Sequence, residues 1–381
     1  MKPIHPIGLL FPLSCILLLC AVVPGRALVN WKASLASSGV SLGSWSLANS
    51  SRLCRWSCIT CDPEARDITE LDLTDTSLNG TLDELDFSAF PHLERLTLVR
   101  SALHGTIPTG IGSLTSLVML EMRHNLYLRG TIPCSIGQLK HLAVLQLAYL
   151  GLHGTLPEEI GNLTSLEELT LSSVTLTGSI PQTIGVLTKL RLLDLGHNNL
   201  SGTILLEIGN MTELQSINFL GNWRLEGQLP SSISHLIKLQ FLDMSSNHLG
   251  GHIVPGLGNS SVMHHVFIGN NNFSGSSICV GGALSFVSAE HKGFTGIHHQ
   301  TFRNCTTLEF VDFTANSIVA ELRDCFGEEH LEWLLLMAFS QNQLYGSLVT
   351  EQVQDEALAK FGLHSSVQEL FQWCNSVLIP R

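Results

Sequence analysis

One glycine returns along this chain at a spacing that leaves few folds open. It stands at positions 80, 105, 130, 154, 178, 202, 227, 251, 275 and 296, and, after an alanine at 320, again at 346. The gaps are 25, 25, 24, 24, 24, 25, 24, 24, 21, 24 and 26 residues. Self-similarity of that period means a stack of one small unit that cannot bury its apolar side alone. Ahead of the glycine runs L-x-x-L-x-L-x-x-N-x-L-x-G, complete in Leu190, Leu193, Leu195, Asn198, Leu200 and Gly202. The alternation in L-x-L is that of a short strand with one buried face. Parallel strands of successive coils stack about 4.8 Å apart, so about twelve coils make a strip roughly 50–60 Å long.

The Asn of each coil is expected to turn inward and hydrogen-bond the backbone of neighbouring coils, since a buried turn would otherwise strand polar groups. It is present at 125, 198, 222, 247, 271, 316 and 342. Thr76 and Ser101 substitute in part, whereas Leu150 and Val174 predict a weaker turn network in their coils. Behind the glycine comes a second phrase: Thr106-Ile107-Pro108, Thr131-Ile132-Pro133, Thr155-Leu156-Pro157 and Ser179-Ile180-Pro181, each followed by an Ile-Gly pair such as Ile111-Gly112.

Together, L-x-G-x-I-P-x-x-I-G-x-L resembles the plant class of leucine-rich repeats, found in receptor-like kinases, receptor-like proteins and polygalacturonase inhibitors. The resemblance covers residues 28 to 346. It implies an α/β solenoid, a right-handed superhelix of about 12 coils with short parallel β-strands on its concave face. Leu28-Val29-Asn30-Trp31, Ser44-Trp45 and Cys54-Arg55-Trp56 look like the plant amino-terminal cap, whose pattern pairs Cys54 with Cys61. The segment Ile278-Cys279-Val280-Gly281-Gly282, Phe294-Thr295-Gly296 and Asn304-Cys305-Thr306 is similar to ectodomains of peptide-sensing receptor kinases, which implies a Cys279–Cys305 disulfide. The organisation expected is therefore a signal peptide at 1–27, the cap at 28–67, the array at 68–346 and a non-repeat tail at 347–381. The resemblance also implies further coils, a membrane span and a kinase beyond the array. The tail is then a divergent end, a splice product or the end of a truncated gene.

Lys2 ahead of an apolar run from Ile7 to Val23, and Gly25-Arg26-Ala27 at its end, read as a secretory signal. An uncleaved anchor is the alternative, with the run at the short end for a bilayer. The protein is thus expected in the apoplast, or at the plasma membrane if the segment stays or a longer isoform spans the bilayer. Cleavage would remove Lys2 and Arg26 and take the formal charge from −12 to −14. Such a surface repels nucleic acid and favours cationic partners. Sequons at Asn49, Asn79, Asn162, Asn199, Asn210, Asn259, Asn272 and Asn304 predict a glycosylated surface. Eight cysteines remain after cleavage, of which Cys58, Cys134, Cys325 and Cys374 have no obvious partner, leaving intermolecular pairing or free thiols open.

Catalysis finds little support. Gly39-Val40-Ser41-Leu42-Gly43 matches G-x-S-x-G but stands in the cap, with no strand-to-helix elbow around it. Cys58-Ile59-Thr60-Cys61 lacks the second ligand pair a zinc site requires. His264-His265 and His298-His299 would point to opposite faces of a strand. No metal, cofactor or catalytic residue is assigned, and no kinase phrase occurs.

Repeat arrays bind where one residue per coil recurs in register. Taken as exposed strand positions, the outermost column reads Asp75, Arg100, His124, Tyr149, Ser173, His197 and onward to His291. Arg95, Arg100, Arg123, His124 and Tyr149 then form a basic and aromatic patch, and Phe241, His265, Phe267 and Phe286 an apolar one. Arg and aromatic side chains are common interface anchors. The plain alternative is a solvated face, or one covered by glycans. In peptide-sensing relatives an Arg-x-Arg pair on one strand holds a peptide's carboxyl end, and no such pair stands here. The function expected is a ligand-binding ectodomain for a secreted peptide or protein, with a leucine-rich-repeat co-receptor kinase as a further partner. The alternatives are a soluble inhibitor of a cell-wall-degrading enzyme and a non-functional truncated product.

Overall fold

The computed structural model describes residues 13–36, 42–254, 262–274, 283–291, 307–319 and 336–343, together with Leu257, Phe294 and Cys305. Cys279, Cys325, Cys374, Asn259, Asn304, His298 and His299 lie outside the described residues. The chain forms two compact units, Met1–Leu152 and His153–Arg381.

The first unit opens with a helix, Leu13–Ser34, which runs across the expected cleavage point. Among the described residues no helix is long and apolar enough to cross a membrane. From Ala27 on, this helix buries Leu28 and Trp31; Trp31 packs against Trp45 with ring centroids 6.4 Å apart, and Trp45 stacks on Trp56 at 6.2 Å. The Trp31 indole donates to the Thr81 carbonyl at 2.7 Å, which ties this core to the first coil. Cys54 and Cys61 are joined by a disulfide. Strand Ile59–Cys61 runs antiparallel to Ile68–Asp72, and Arg95–Thr97, Met119–Glu121 and Val144–Gln146 follow in parallel. On the other side of the coils, His104–Thr106, Asn125–Gly130 and the start of Leu150–Thr155 form a second, outer ladder.

The second unit continues the pattern with Glu168–Thr170, Leu192–Asp194, Ser216–Asn218, Phe241–Asp243, His265–Phe267, Phe286–Ser288, Phe310–Asp312 and Leu336–Ala338. Neighbours pair in parallel, residue for residue. From Glu168–Thr170 to Phe310–Asp312 each of these strands is three residues long, the middle one buried and its neighbours outward. Outer strands run from Thr175–Gly178 to Asn272–Ser274. The I-P-x-x-I-G phrase makes the return: Pro181 begins a 3-10 turn, Gln182–Val186, that buries Ile184. Gly161, in the preceding turn, is needed for close approach, because a Cβ there would stand 2.5 Å from the Thr183 carbonyl oxygen. Gly227 is needed for its backbone, at φ 81°.

The Asn rungs are buried in both units. Asn222, fully buried, donates to the carbonyls of Leu195 and Phe219 at 2.9 and 3.1 Å and accepts from the Leu200 amide at 3.1 Å. Asn198, Asn271 and Asn316 repeat this arrangement. Thr76 and Ser101 each donate to the Leu73 carbonyl, and Leu150 and Val174 fill their rungs with buried apolar side chains.

Asn247 departs from the pattern. Its amide donates to Phe219, Met244 and Ser245, yet its Oδ1 is buried with no donor among the described residues. The cause lies one coil back, where an extra residue lengthens Asn222-Trp223-Arg224-Leu225. There the Leu225 amide turns to the Asn222 carbonyl at 2.8 Å instead of to the next rung. The coil Asn125–Gly130 carries the same extra residue, and the rung after it is Leu150, which asks for no donor. Nothing in the structure explains Val174.

Candidate functional site

The outermost column is not on the strands. Asp75, Arg100, His124, Tyr149, Ser173 and His197 have φ between 50° and 59°, as do Ser246, Asn270 and His291. They sit in left-handed turns three residues past each strand. The physical reason is the rung: the chain must bend sharply to swing the next residue, the Asn, into the core. A left-handed residue makes that bend, although it costs a non-glycine residue about 1–2 kcal/mol.

Of the predicted patch, only Arg95 lies on a strand, at the exposed start of Arg95–Thr97. Its guanidinium faces Glu70 at 3.5 Å and the Met119 sulfur at 3.2 Å. Arg100 grips Asp75 in the same column of the preceding coil with two bonds, at 2.6 and 2.8 Å. That pair holds the Asp75 carboxyl below its ordinary range, through the hydrogen bond first and charge second. Arg123 pairs with Glu121, whose side chain is buried. Each arginine of the expected basic patch thus already has a carboxylate, so the patch is not a free positive surface. His124 and Tyr149 stack at 4.6 Å with ring planes 11° apart.

The second unit brings the apolar cluster together more fully than the sequence reading had it. Phe241, His265 and Phe286 occupy the first outward position of successive strands, and Phe310, missed by sequence, continues the row. Ring centroids along it are 6.0, 4.9 and 5.9 Å apart. Phe267 lies at the other outward position of its strand, 5.8 Å from Phe241. All five are half-buried. The signal for Phe310 is the coil register carried through Ala320: it stands ten residues before that position, as Phe286 does before Gly296. His264 precedes its strand instead of standing in it, and its ring meets His265 edge-on at 6.3 Å, so the two do not point to opposite faces. Burial first, then the charge of His264, lowers the His265 pKa against an opposing effect of Glu309.

Beside the row, Asp243 accepts from the Ser245 amide and hydroxyl at 2.9 and 2.6 Å. Its carboxyl is nevertheless held above the usual carboxylate range, by burial first and with a contribution from Glu290. Among the described residues no three His, Cys, Asp or Glu side chains cluster as metal ligands would. The described sequon asparagines stand off the strand ladder. Asn49, Asn79, Asn162, Asn210 and Asn272 are exposed and Asn199 is half-buried; Asn199 and Asn272 begin outer strands. Cys305 is buried and disulfide-bonded, its partner outside the described residues.

Comparison with known proteins agrees with this architecture. The family described as leucine-rich repeat region matches residues 68–227, leucine-rich repeat N-terminal domain residues 25–62, and a further single repeat residues 238–260. The LRR receptor-like serine/threonine-protein kinase RGI3 of Arabidopsis thaliana is 34% identical over 96 residues, 25% of this chain and 9% of that protein. The chain therefore spans about a tenth of the length of such relatives. Among solved structures, the ectodomain of the receptor kinase GASSHO1/SCHENGEN3 from Arabidopsis thaliana, in complex with CASPARIAN STRIP INTEGRITY FACTOR 2, superposes with a TM-score of 0.67 at 24% identity. That match covers 88% of this chain and 46% of the other. A plant ice-binding protein superposes at 0.60 and 24% identity, covering 86% and 88%. At such identities the fold is what is shared, and its functions differ.

Proposed function

We propose, from the premise that this chain is a leucine-rich-repeat protein homologous to plant LRR receptor kinases, that it is a receptor-like ligand-binding ectodomain without catalysis of its own. Its ligand is a secreted peptide or protein, taken up on the open face of the strand ladder, and a co-receptor kinase is the partner that would carry the signal. The single observation behind this is the aromatic row Phe241, His265, Phe286 and Phe310, half-buried, in register and away from the described sequons. Aromatic side chains supply large contact area at low entropic cost and concentrate binding energy. The ectodomain in complex with a named partner, GASSHO1/SCHENGEN3, adds support by analogy of fold.

The test is a panel of secreted plant peptides passed over the immobilised, glycosylated chain. Phe241→Ala with Phe267→Ala should abolish capture of any ligand found. Leu126→Ser with Tyr127→Ser, on an exposed outer strand, should leave it intact. A ligand indifferent to the first pair and lost with the second refutes the assignment of the face.

A further inference from the structure

The aromatic row lies in a stretch of net negative charge: from Phe241 to Gln343 nine Asp and Glu stand against Lys292, Arg303 and Arg323, which lie outside the described residues. No described residue of that stretch is Lys or Arg, whereas Asp243, Glu290, Glu309 and Asp312 are all described there. Asp243 and Asp312 stand two residues after Phe241 and Phe310, at the second outward position of their strands. Glu309 immediately precedes Phe310. Glu290 accepts from the Ser288 hydroxyl and folds across the preceding coil at Gly269, where a Cβ would stand 2.4 Å from its carboxyl carbon. A glycine at that point therefore makes room for a carboxylate on the face. None of the four acids forms an ion pair with a described Lys or Arg.

Elsewhere the chain does the opposite. In the first unit Glu70, Asp75 and Glu121 are each matched by an arginine on the same face. An aromatic surface flanked by unmatched carboxylates attracts cations twice over, through the ring faces and through net charge. A carboxylate or phosphate brought to the same place would meet net repulsion from these four acids.

We propose that this strip binds an extended peptide segment carrying arginine or lysine, its cationic groups seated over the rings and between the flanking carboxylates. This rests on the receptor reading above and assigns the chemical class of the ligand. Four rings span three coil steps, about 14 Å, which matches four or five residues of extended peptide. The peptide crosses the strands with alternate side chains, about 6.7 Å apart, turned toward the rings.

The experiment uses the full secreted chain and a dye-labelled, end-blocked peptide of ten alternating arginines and serines, with its glutamate counterpart, at about 0.15 M salt to screen diffuse attraction. The arginine peptide should bind and the glutamate peptide should not. Asp243→Asn with Glu290→Gln should weaken binding about tenfold, as should Phe286→Leu with Phe310→Leu, which keeps apolar volume and removes the ring faces. Glu158→Gln with Glu159→Gln removes equal charge from a 3-10 turn of the same unit and should change binding less than about twofold. Equal weakening in all three variants, binding of the glutamate peptide, or no binding of the arginine peptide overturns the proposal. The secreted-peptide panel separates the two ideas. A ligand that depends on Phe241 and Phe267 but contains no basic residue ends the cationic assignment and leaves the receptor reading in place. A ligand indifferent to both phenylalanines ends both.

Discussion

Asn222 and Asn247 occupy equivalent rungs in neighbouring coils, yet replacing each by Leu should have very different consequences. Leucine is the residue the chain itself uses at position 150, so steric fit is a shared baseline. In Asn222→Leu the Leu200 amide loses its acceptor at 3.1 Å and is left buried. The two carbonyls released are not orphaned, since Leu195 O keeps a donor in Asn198 and Phe219 O keeps one in Asn247. The cost is therefore that of one stranded N–H, about 2 kcal/mol. In Asn247→Leu no amide is stranded, because its Oδ1 had no donor to begin with. Phe219 O and Met244 O keep Asn222 and Asn271, and Ser245 O keeps the Gly221 amide. Removing an unsatisfied buried acceptor offsets the bonds lost, and the net change should stay within about 0.5 kcal/mol. Native-state hydrogen exchange reads this directly. The Leu200 amide should exchange about 30-fold faster in Asn222→Leu, whereas Asn247→Leu should leave the Leu225 amide, bonded to Asn222, at its original rate. Equal destabilisation by the two substitutions would refute the accounting, and with it the reading that the extra residue at Trp223 removes a rung bond.

Arg123→Ala leaves the buried Glu121 carboxylate without its partner and should cost about 1–3 kcal/mol in chemical unfolding, most of it recovered by adding Glu121→Gln. Arg100→Ala, at an exposed pair, should leave unfolding within error and serves as the cleaner probe of ligand contact. Tyr149→Val places a β-branched residue at φ 55° and should be less stable than Tyr149→Gly by about 1–2 kcal/mol in the same assay. His265 is a base whose folded pKa lies below its ordinary 6.5, so the fold favours its neutral form. Stability is therefore full above that value and falls as pH drops through 6.5 and then through the folded pKa. In His265→Gln that part of the acid sensitivity should vanish, and an unchanged pH profile between neutrality and mild acid would count against it.

What could be read from the residues alone divides along physical lines. The coil period, the inward Asn and the role of Thr76 and Ser101 were legible because each depends on local pattern and on the need to pair buried backbone. The positions of Arg100, His124 and Tyr149 are not legible in the same way, because L-x-L alternation holds for only the three residues of each strand. Their left-handed turn is set by the rung that follows, not by strand periodicity. The neutralised arginines were legible in principle: Asp75 and Arg100, or Glu70 and Arg95, are 25 residues apart and therefore neighbours in one column. Pairing of Arg123 with Glu121 was less so, since it brings together an outward residue and a buried one on the same coil. Phe310 is legible in the same column, ten residues before Ala320 as Phe241 and Phe286 are before Gly251 and Gly296, but the alanine at 320 removes the glycine that marks its coil.

The extra residue at Trp223 separates two kinds of inheritance. Although its coil is a residue longer, Ser216 still faces Phe241 as squarely as Leu192 faces Ser216. A copying slip on the outer side is thus absorbed locally, by one turned amide and one idle oxygen, and never transmitted to the strands. Lineages of such chains are free to vary in repeat length while their strand columns stay aligned, so the exposed face can change by point substitution alone.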